Sequence, residues 1–208
     1  MTAAAIPADL ERWLADHDAR GMADLDAFLR IPSVSARSEH NGDTARAADW
    51  LRDALTRIGF SATVMPTPGH PIVLGEWRKA PPGAPTILIY GHYDVQPPEP
   101  LELWKSPPFE PRIDGCNLFA RGSCDNKGQH FAHLKAVEAY LKTGTELPCD
   151  LTFLIEGEEE IGCENLAPFL RARKRDLRCE AFVISDNGLP SKRHPALGVT
   201  KSNQKQLS

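Results

Sequence analysis

Three short apolar runs place the strongest constraint on how this chain can fold. TILIY at 86–90 and LTFLI at 151–155 are almost continuously apolar, which is typical of strands buried on both faces of a parallel sheet, and AFVIS at 181–185 indicates the last strand. Helical periods at Asn126–Leu141 and Asn165–Leu177 separate the three runs. The alternation predicts an α/β fold in which a mostly parallel sheet carries helices on both faces.

Other segments predict the elements around these runs. Apolar periodicity indicates one long helix at Leu10–Leu29 and a second at Thr44–Ile58. Short strands are predicted at Ala62–Met65 and Ile72–Trp77, and the segment RIDGCNLFARG at 112–122 is typical of a hairpin.

Composition excludes several classes of protein. A chain of 208 residues with 41% hydrophobic residues can bury a core, and a formal charge of −4 with a pI near 6.0 gives no basic surface for nucleic acid. No apolar run approaches the roughly 18 residues of a membrane helix, and the start of the chain lacks the pattern of a signal peptide. We therefore expect a cytoplasmic protein that binds neither nucleic acid nor membranes.

Cysteine and helix-borne histidine residues give weaker signals. Five cysteines without a CxxC pair indicate neither a disulfide framework nor a thiolate zinc site, and we interpret Cys124 as a small buried residue rather than a reactive thiol. His130 and His133 have the helical spacing that could chelate a metal ion, but the pattern favours a polar helix face.

Four carboxylates are crowded directly after the second apolar run. In the sequence EGEEE, Glu156, Glu158, Glu159 and Glu160 fall within five positions. Two like charges about 4 Å apart repel by roughly 1 kcal/mol in water and about 4 kcal/mol at an effective dielectric near 20, so the cluster needs solvent or a cation. Two interpretations follow, a solvated helix start or a metal site.

The other apolar runs also end in side chains that can bind metal ions. His92 and Asp94 follow TILIY, and Asp186 follows the last run. Because ligands bind outside the carboxyl ends of parallel strands, these groups and the glutamates are expected to share one site. An imidazole among carboxylates is the ligand mixture of a hydrolytic zinc or similar site. Asp125 directly precedes a helix, so it is either a further ligand or the N-cap.

Five motifs carry a resemblance to a known family. The segments LIYGHYDVQP, ELWKSPPFEP, ARGSCDNKGQ, FLIEGEEEIG and VISDN occur in this order within residues 86–187. Together they resemble the M20 family of metallopeptidases, and within it the dipeptidase branch that includes the carnosine dipeptidases. The upstream helices and the segment IPSVS at 31–35 are similar to the family's amino-terminal part. The resemblance implies a zinc-peptidase-like α/β domain that cleaves dipeptides or N-acyl amino acids.

The resemblance also implies a pair of divalent metal ions, zinc in the first place, with manganese or cobalt as alternatives. Matched to the motifs, His92 and Asp186 would hold one ion, Asp125 would bridge both, and Glu160 would hold the second. The family supplies a further histidine from a later part of its catalytic domain, so the second site is expected to be incomplete in this chain.

Two further roles follow from the same motifs. Asp94 would orient His92. Glu159 would be the general base, which takes a proton from the attacking water and gives it to the leaving amine.

The end of the sequence departs from the family pattern. Residues 1–195 are interpreted as the amino-terminal part of an M20-like catalytic domain and residues 196–208 as an atypical polar tail. The lid or dimerisation domain, through which full-length relatives could form homodimers, and the rest of the catalytic domain are expected to be absent. Two functions stay open: a dipeptide hydrolase, or a non-catalytic metal-binding remnant or interaction module of the same family.

Overall fold

The computed structural model describes residues 6–188, and the predicted polar tail at 196–208 lies outside them. The α-helices in this range are α1 (Ala8–Asp16), α2 (Asp18–Leu29), α3 (Asn41–Ile58), α4 (Lys127–Thr143) and α5 (Leu166–Ala172). The strands are β1 (Ser61–Met65), β2 (Ile72–Trp77), β3 (Thr86–His92), β4 (Arg112–Asp114), β5 (Asn117–Phe119), β6 (Asp150–Glu156) and β7 (Ala181–Ile184). None of these helices is long and apolar enough to cross a membrane.

The main sheet contains five strands in the order β1-β2-β6-β3-β7. β3 pairs in parallel with β6 and with β7, whereas β2 is antiparallel to both of its neighbours. Four of the five strands therefore point in one direction, and β2 alone is reversed. The predicted α/β fold with a mostly parallel sheet is confirmed, and the carboxyl ends of β3, β6 and β7 lie side by side.

Apolar clusters cover both faces of the sheet. Neighbouring strand residues point to opposite faces, so Phe153 faces Leu51 of α3 and Leu134 of α4, whereas Leu154 faces Phe169 of α5. Phe153 is 1% exposed, and burial of such a side chain stabilises a fold by roughly 1.5–3 kcal/mol. The continuous apolar character of β6 is thus explained by burial on two sides.

The predicted single helix at Leu10–Leu29 is wrong, because the chain bends at His17 and forms two helices. The His17 backbone has φ −113° and ψ 10°, its ring stacks on Trp13 with the centroids 4.2 Å apart, and Nδ1 lies 2.8 Å from the Trp13 carbonyl oxygen. The Trp13 carbonyl oxygen also accepts the helical hydrogen bond from the His17 backbone N–H, at 3.1 Å, so the ring contact is made in addition to it. Both halves keep apolar periodicity, so the period alone does not reveal the bend.

The helix predicted at Asn165–Leu177 is also too long. α5 ends at Ala172, and the chain then turns through residues 173–177. The turn brings Leu177, 8% exposed, into the apolar cluster that contains Leu88 and Leu154. Burial of one leucine on the sheet therefore decides where the helix stops.

Candidate metal centre

Strand register brings the predicted site residues to one edge of the sheet. His92, the last residue of β3, lies opposite Glu156, the last residue of β6. On the other side of β3, Tyr90 lies opposite Ile184, where the pairing with β7 ends, and Asp186 follows two residues later with Oδ2 3.6 Å from His92 Nε2. The polar residues that follow the three apolar runs therefore lie close together.

The His92 imidazole is the centre of this group. Its Nε2 atom lies 3.1 Å from Asp125 Oδ1, 3.6 Å from Asp186 Oδ2 and 3.9 Å from Glu159 Oε2. One potential ligand atom from each of His92, Asp125 and Glu160 also falls within 4.8 Å of the others. The structure thus brings together all four residues predicted as metal ligands, and the predicted general base beside them.

Asp125 reaches this group from the turn before α4. The N-cap residue of α4 is Asn126, and its side chain makes no capping hydrogen bond. Asp125 therefore lies one residue before the capping position, and its carboxylate points to Nε2 of His92. The N-cap interpretation of Asp125 is wrong.

Asp94 is fully buried and lies on the other side of the His92 ring. Nδ1 of His92 is 3.1 Å from the Asp94 carbonyl oxygen and 3.2 Å from Oδ1. Only the carbonyl contact has hydrogen-bond geometry, so Oδ1 acts on the ring through its charge. Oδ2 accepts hydrogen bonds from the Ser35 hydroxyl at 2.6 Å and from the Glu160 backbone N–H at 3.1 Å. These contacts turn Nε2 toward the other carboxylates.

The electrostatics of the group suit a bound cation. Burial lowers the pKa of His92, but the adjacent Asp94 carboxylate and the charges of Asp186 and Glu159 outweigh it and raise the pKa to about 9. For Glu159 and Glu160, burial acts in the opposite direction, because it disfavours the charged carboxylate, and together with the neighbouring carboxylates it raises the pKa of both. Such shifts mark a place where negative charge is in excess. A divalent cation offsets that charge, and an imidazole with several carboxylates is a donor set that fits it.

The four glutamates of EGEEE divide into two pairs. Glu158 is buried and accepts hydrogen bonds from the His70 backbone N–H at 2.8 Å and from the Asn165 backbone N–H at 3.1 Å. Glu156 is buried as well, and Oε1 accepts a hydrogen bond of 2.6 Å from the Tyr90 hydroxyl. Glu159 and Glu160 remain to face His92. The crowding is therefore tolerated because Glu156, Glu158 and Glu160 each accept hydrogen bonds, while Glu159 and Glu160 line the proposed cation site.

Replacing Gly69 with alanine should test the Glu158 contacts. The added methyl group would overlap Glu158 Oε1 and lie 2.9 Å from Asn165 Nδ2. Glu158 would have to move away from its hydrogen-bond donors. Leaving a buried polar group without hydrogen bonds lowers the free energy of unfolding by about 1–3 kcal/mol. We expect urea unfolding to show a loss of this size. Gly42→Ala is the matched control, since nothing lies within 4 Å of the added methyl group in α3; an equal loss in both variants would contradict the assignment.

Sequence patterns missed two residues that contact the site. Ser35 donates to Asp94 although the two residues are 59 positions apart, and Gln96 Nε2 donates to Glu160 Oε2 at 2.6 Å. Both lie within segments that carry the family resemblance, IPSVS and LIYGHYDVQP. Their position in these segments was the available signal, but it did not indicate which side chains Ser35 and Gln96 contact.

Two other side chains differ from expectation, whereas His133 makes a contact that suits the predicted polar helix face. His130 is 1% exposed, and burial lowers its pKa to about 3, so it belongs to the interior and not to a polar helix face. His133 bonds through Nε2 to the Ser185 hydroxyl at 2.6 Å. Cys124, interpreted as buried, is exposed. Periodicity places a residue on a helix face but does not show what covers that face.

A histidine among carboxylates at the carboxyl edge of a mostly parallel sheet is typical of metal-dependent hydrolases. Comparison with known sequences gives the same class. Peptidase family M20/M25/M40 matches residues 88–201, and this chain belongs to that family. The resemblance predicted from the five motifs is confirmed.

Several relatives are dipeptidases that are much longer than this chain. The Cys-Gly metallodipeptidase dug1 of Schizosaccharomyces pombe is 31% identical over 188 residues, which are 83% of this chain and 39% of the relative. The Beta-Ala-His dipeptidase of Rattus norvegicus is 36% identical over 198 residues, 90% of this chain and 38% of the relative. The crystal structure of human carnosine dipeptidase 1 superposes with a TM-score of 0.81 at 29% identity, over 87% of this chain and 42% of that one. The chain thus spans about two fifths of the length of these relatives.

Proposed function

We propose that this chain is part of a metal-dependent hydrolase that cleaves the amide bond of dipeptides or N-acyl amino acids. The observation that carries the proposal is the arrangement of Asp125, Asp186 and Glu159 within 3.1–3.9 Å of Nε2 of His92. The similarity to Cys-Gly and Beta-Ala-His dipeptidases supports the substrate class.

The proposed ligand set serves two divalent ions. His92 and Asp186 would hold one, Asp125 would contact both, and Glu160 would hold the second. The mixture of one imidazole with carboxylates favours zinc, with manganese and cobalt as alternatives. When bound, such a pair of ions polarises the scissile carbonyl and lowers the pKa of the attacking water.

Glu159 is the proposed general base. Its side chain is 36% exposed, so a substrate can reach it, and its raised pKa makes it a better proton acceptor than an ordinary surface carboxylate. Glu159 would take a proton from water and return it to the leaving amine. Asp94 would hold the His92 ring in place through the contacts at Nδ1.

Metal titration combined with a hydrolysis assay tests the proposal. Purified chain would be titrated with Zn²⁺, Mn²⁺ and Co²⁺ by calorimetry, and each form would be assayed with Cys-Gly and β-alanyl-histidine. We expect binding of at least one ion, and very weak release of amino acids because the second proposed metal site has fewer ligands among residues 6–188. Failure to bind any of the three ions would overturn the proposal.

A metal-binding protein without hydrolytic activity is the second candidate. One observation favours it: Gln96 Nε2 already donates a hydrogen bond to Oε2 of Glu160, a proposed metal ligand. Tight metal binding without turnover of either dipeptide would select this candidate.

The two proposed metal sites should differ in affinity. Within residues 6–188, the first site has the three ligands His92, Asp125 and Asp186, whereas the second has Asp125 and Glu160. Because a site with fewer protein ligands holds its ion less tightly, we expect elemental analysis after dialysis to give close to one ion per chain. Two retained ions per chain would contradict this expectation.

Asp94→Asn should weaken metal binding by about 10–100-fold, which is the usual cost of losing the group that orients a metal-binding histidine. The amide oxygen could still accept from Ser35 and the Glu160 N–H. The amide nitrogen would then face His92 Nδ1 in place of a carboxylate oxygen. Competition with a chelator measures the change, and Asp16→Asn at the exposed end of α1 is the control. An affinity within twofold of wild type would refute the orienting role.

A further inference from the structure

The side chain of Asn126 is buried and uses its full hydrogen-bonding capacity. Oδ1 accepts from the His92 backbone N–H at 3.2 Å and lies 3.2 Å from His130 Nδ1. Nδ2 donates to the Ser185 carbonyl oxygen at 3.0 Å and to Gln129 Oε1 at 2.8 Å. A primary amide has two N–H donors and two acceptor positions, so all four are occupied while the residue is only 1% exposed.

Two backbone partners fix the orientation of this amide. The His92 N–H can only donate and the Ser185 carbonyl can only accept, so exchanging the amide oxygen and nitrogen would break both contacts. The arrangement is therefore specific for a carboxamide. A hydrocarbon side chain of the same size cannot replace it.

Asn126 also touches each segment that delivers a ligand to the first proposed metal site. It is bonded directly to Asp125, its oxygen holds the backbone of His92, and its nitrogen holds the residue before Asp186. The ladder between β7 and β3 ends at Ile184, so strand pairing does not fix the backbone of Asp186. We propose that Asn126 is a positioning residue that holds the segments carrying His92, Asp125 and Asp186 in a fixed relation to one another at the proposed metal centre.

Two more residues of α4 support the segment that carries Asp186. Gln129 Nε2 donates to the Asn187 carbonyl oxygen at 3.1 Å, and His133 Nε2 bonds to the Ser185 hydroxyl at 2.6 Å. Asn126, Gln129 and His133 are spaced by three and four residues, which places them along one side of the helix. The Asp186 segment is thus attached to the face of α4 that begins at Asn126.

This inference rests on the metal site proposed above, and a positioning role differs measurably from a structural one. A residue that only stabilises the fold would change metal affinity only when part of the protein is unfolded. A residue that sets ligand spacing changes the affinity and the ligand geometry of the fully folded protein. The Co²⁺ absorption spectrum reports that geometry.

The experiment compares Asn126→Leu, Gln129→Leu and Val137→Ala with the wild-type chain. Leucine at 126 removes all four hydrogen bonds at similar volume, and leucine at 129 removes the contacts to Asn126 and Asn187. Val137, buried in the apolar cluster under α4, is the control, because its truncation lowers stability without touching the site. Zinc affinity is measured by chelator competition under conditions in which circular dichroism shows each variant folded.

We expect the zinc dissociation constant to rise by about 10–100-fold in Asn126→Leu and by about 10-fold in Gln129→Leu, with altered Co²⁺ bands in both. Val137→Ala should match wild type. Wild-type affinity and Co²⁺ spectrum in Asn126→Leu would overturn the inference, and if that variant does not fold, the same result in Gln129→Leu would do so. Absence of zinc binding by the wild-type chain would overturn the proposed metal site itself, and with it this inference.

Discussion

Replacement of Glu159 by glutamine in a full-length version of the protein should lower the metal-dependent hydrolysis of a dipeptide by about 10²–10⁴-fold, the usual contribution of a general base, and leave metal binding intact. The amide keeps the shape of the side chain but cannot accept the proton. Glu159 lies 3.9 Å from His92 Nε2, farther than the carboxylates of Asp125 and Asp186, so its loss should not empty the site. Metal content and turnover would be measured on the same samples.

Glu164→Gln provides the matched control for this prediction. Glu164 is an exposed glutamate of the same segment, and its replacement removes an equal charge five residues from Glu159. We expect the control to retain wild-type turnover. A parallel fall of metal content and rate in Glu159→Gln would assign Glu159 to metal binding instead of proton transfer.

Asp125→Ala should abolish tight binding at both proposed metal sites. Asp125 Oδ1 is the carboxylate oxygen nearest to His92 Nε2, at 3.1 Å, among the three that face it, and Asp125 also belongs to the group formed with Glu160. Loss of a shared ligand should exceed the cost of losing an orienting residue, which is about 10–100-fold in affinity. Calorimetry with Zn²⁺ measures the effect.

The fold itself should tolerate this change. The Asp125 side chain is 60% exposed and does not occupy the N-cap position of α4, so thermal unfolding of the metal-free variant should match that of Asp16→Ala, an exposed control. Retention of either ion at wild-type affinity would show that Asp125 does not bridge the two sites.

The sequence predicted the sheet because its signals are local. β3, β6 and β7 each coincide with a continuous apolar run, and β6 is buried on both faces as such a run predicts. β7, the edge strand beside β3, instead leaves Phe182 and Ile184 exposed among the described residues. The polar residues directly after those runs could then be expected at one edge, since parallel strands end together. His92, Glu159, Glu160 and Asp186 were all found in this way, whereas Asp125 needed the family motif to separate a ligand from a helix cap.

Local sequence patterns do not predict where a helix bends or ends when contacts with distant residues determine that point. The bend at His17 and the early end of α5 leave the apolar period unchanged on either side, so neither is visible in the pattern. Burial was also mispredicted for two residues. The burial of His130 was missed because periodicity assigns a residue to a helix face without showing what covers that face, and the exposure of Cys124 was missed because residue type alone does not determine burial.

Tertiary structure decided which side chains support the site. Ser35 reaches Asp94 across 59 residues, the His92 N–H reaches Asn126 across 34, and the His70 N–H reaches Glu158 across 88. A hydrogen bond at such a separation depends on where the whole chain brings two atoms, and neither residue type nor spacing encodes that position. The sequence by itself therefore determined the strands, the edge of the sheet and the chemical groups that meet there. Only the packed structure decided which of the four glutamates face His92 and which residues hold His92, Asp125 and Asp186 together.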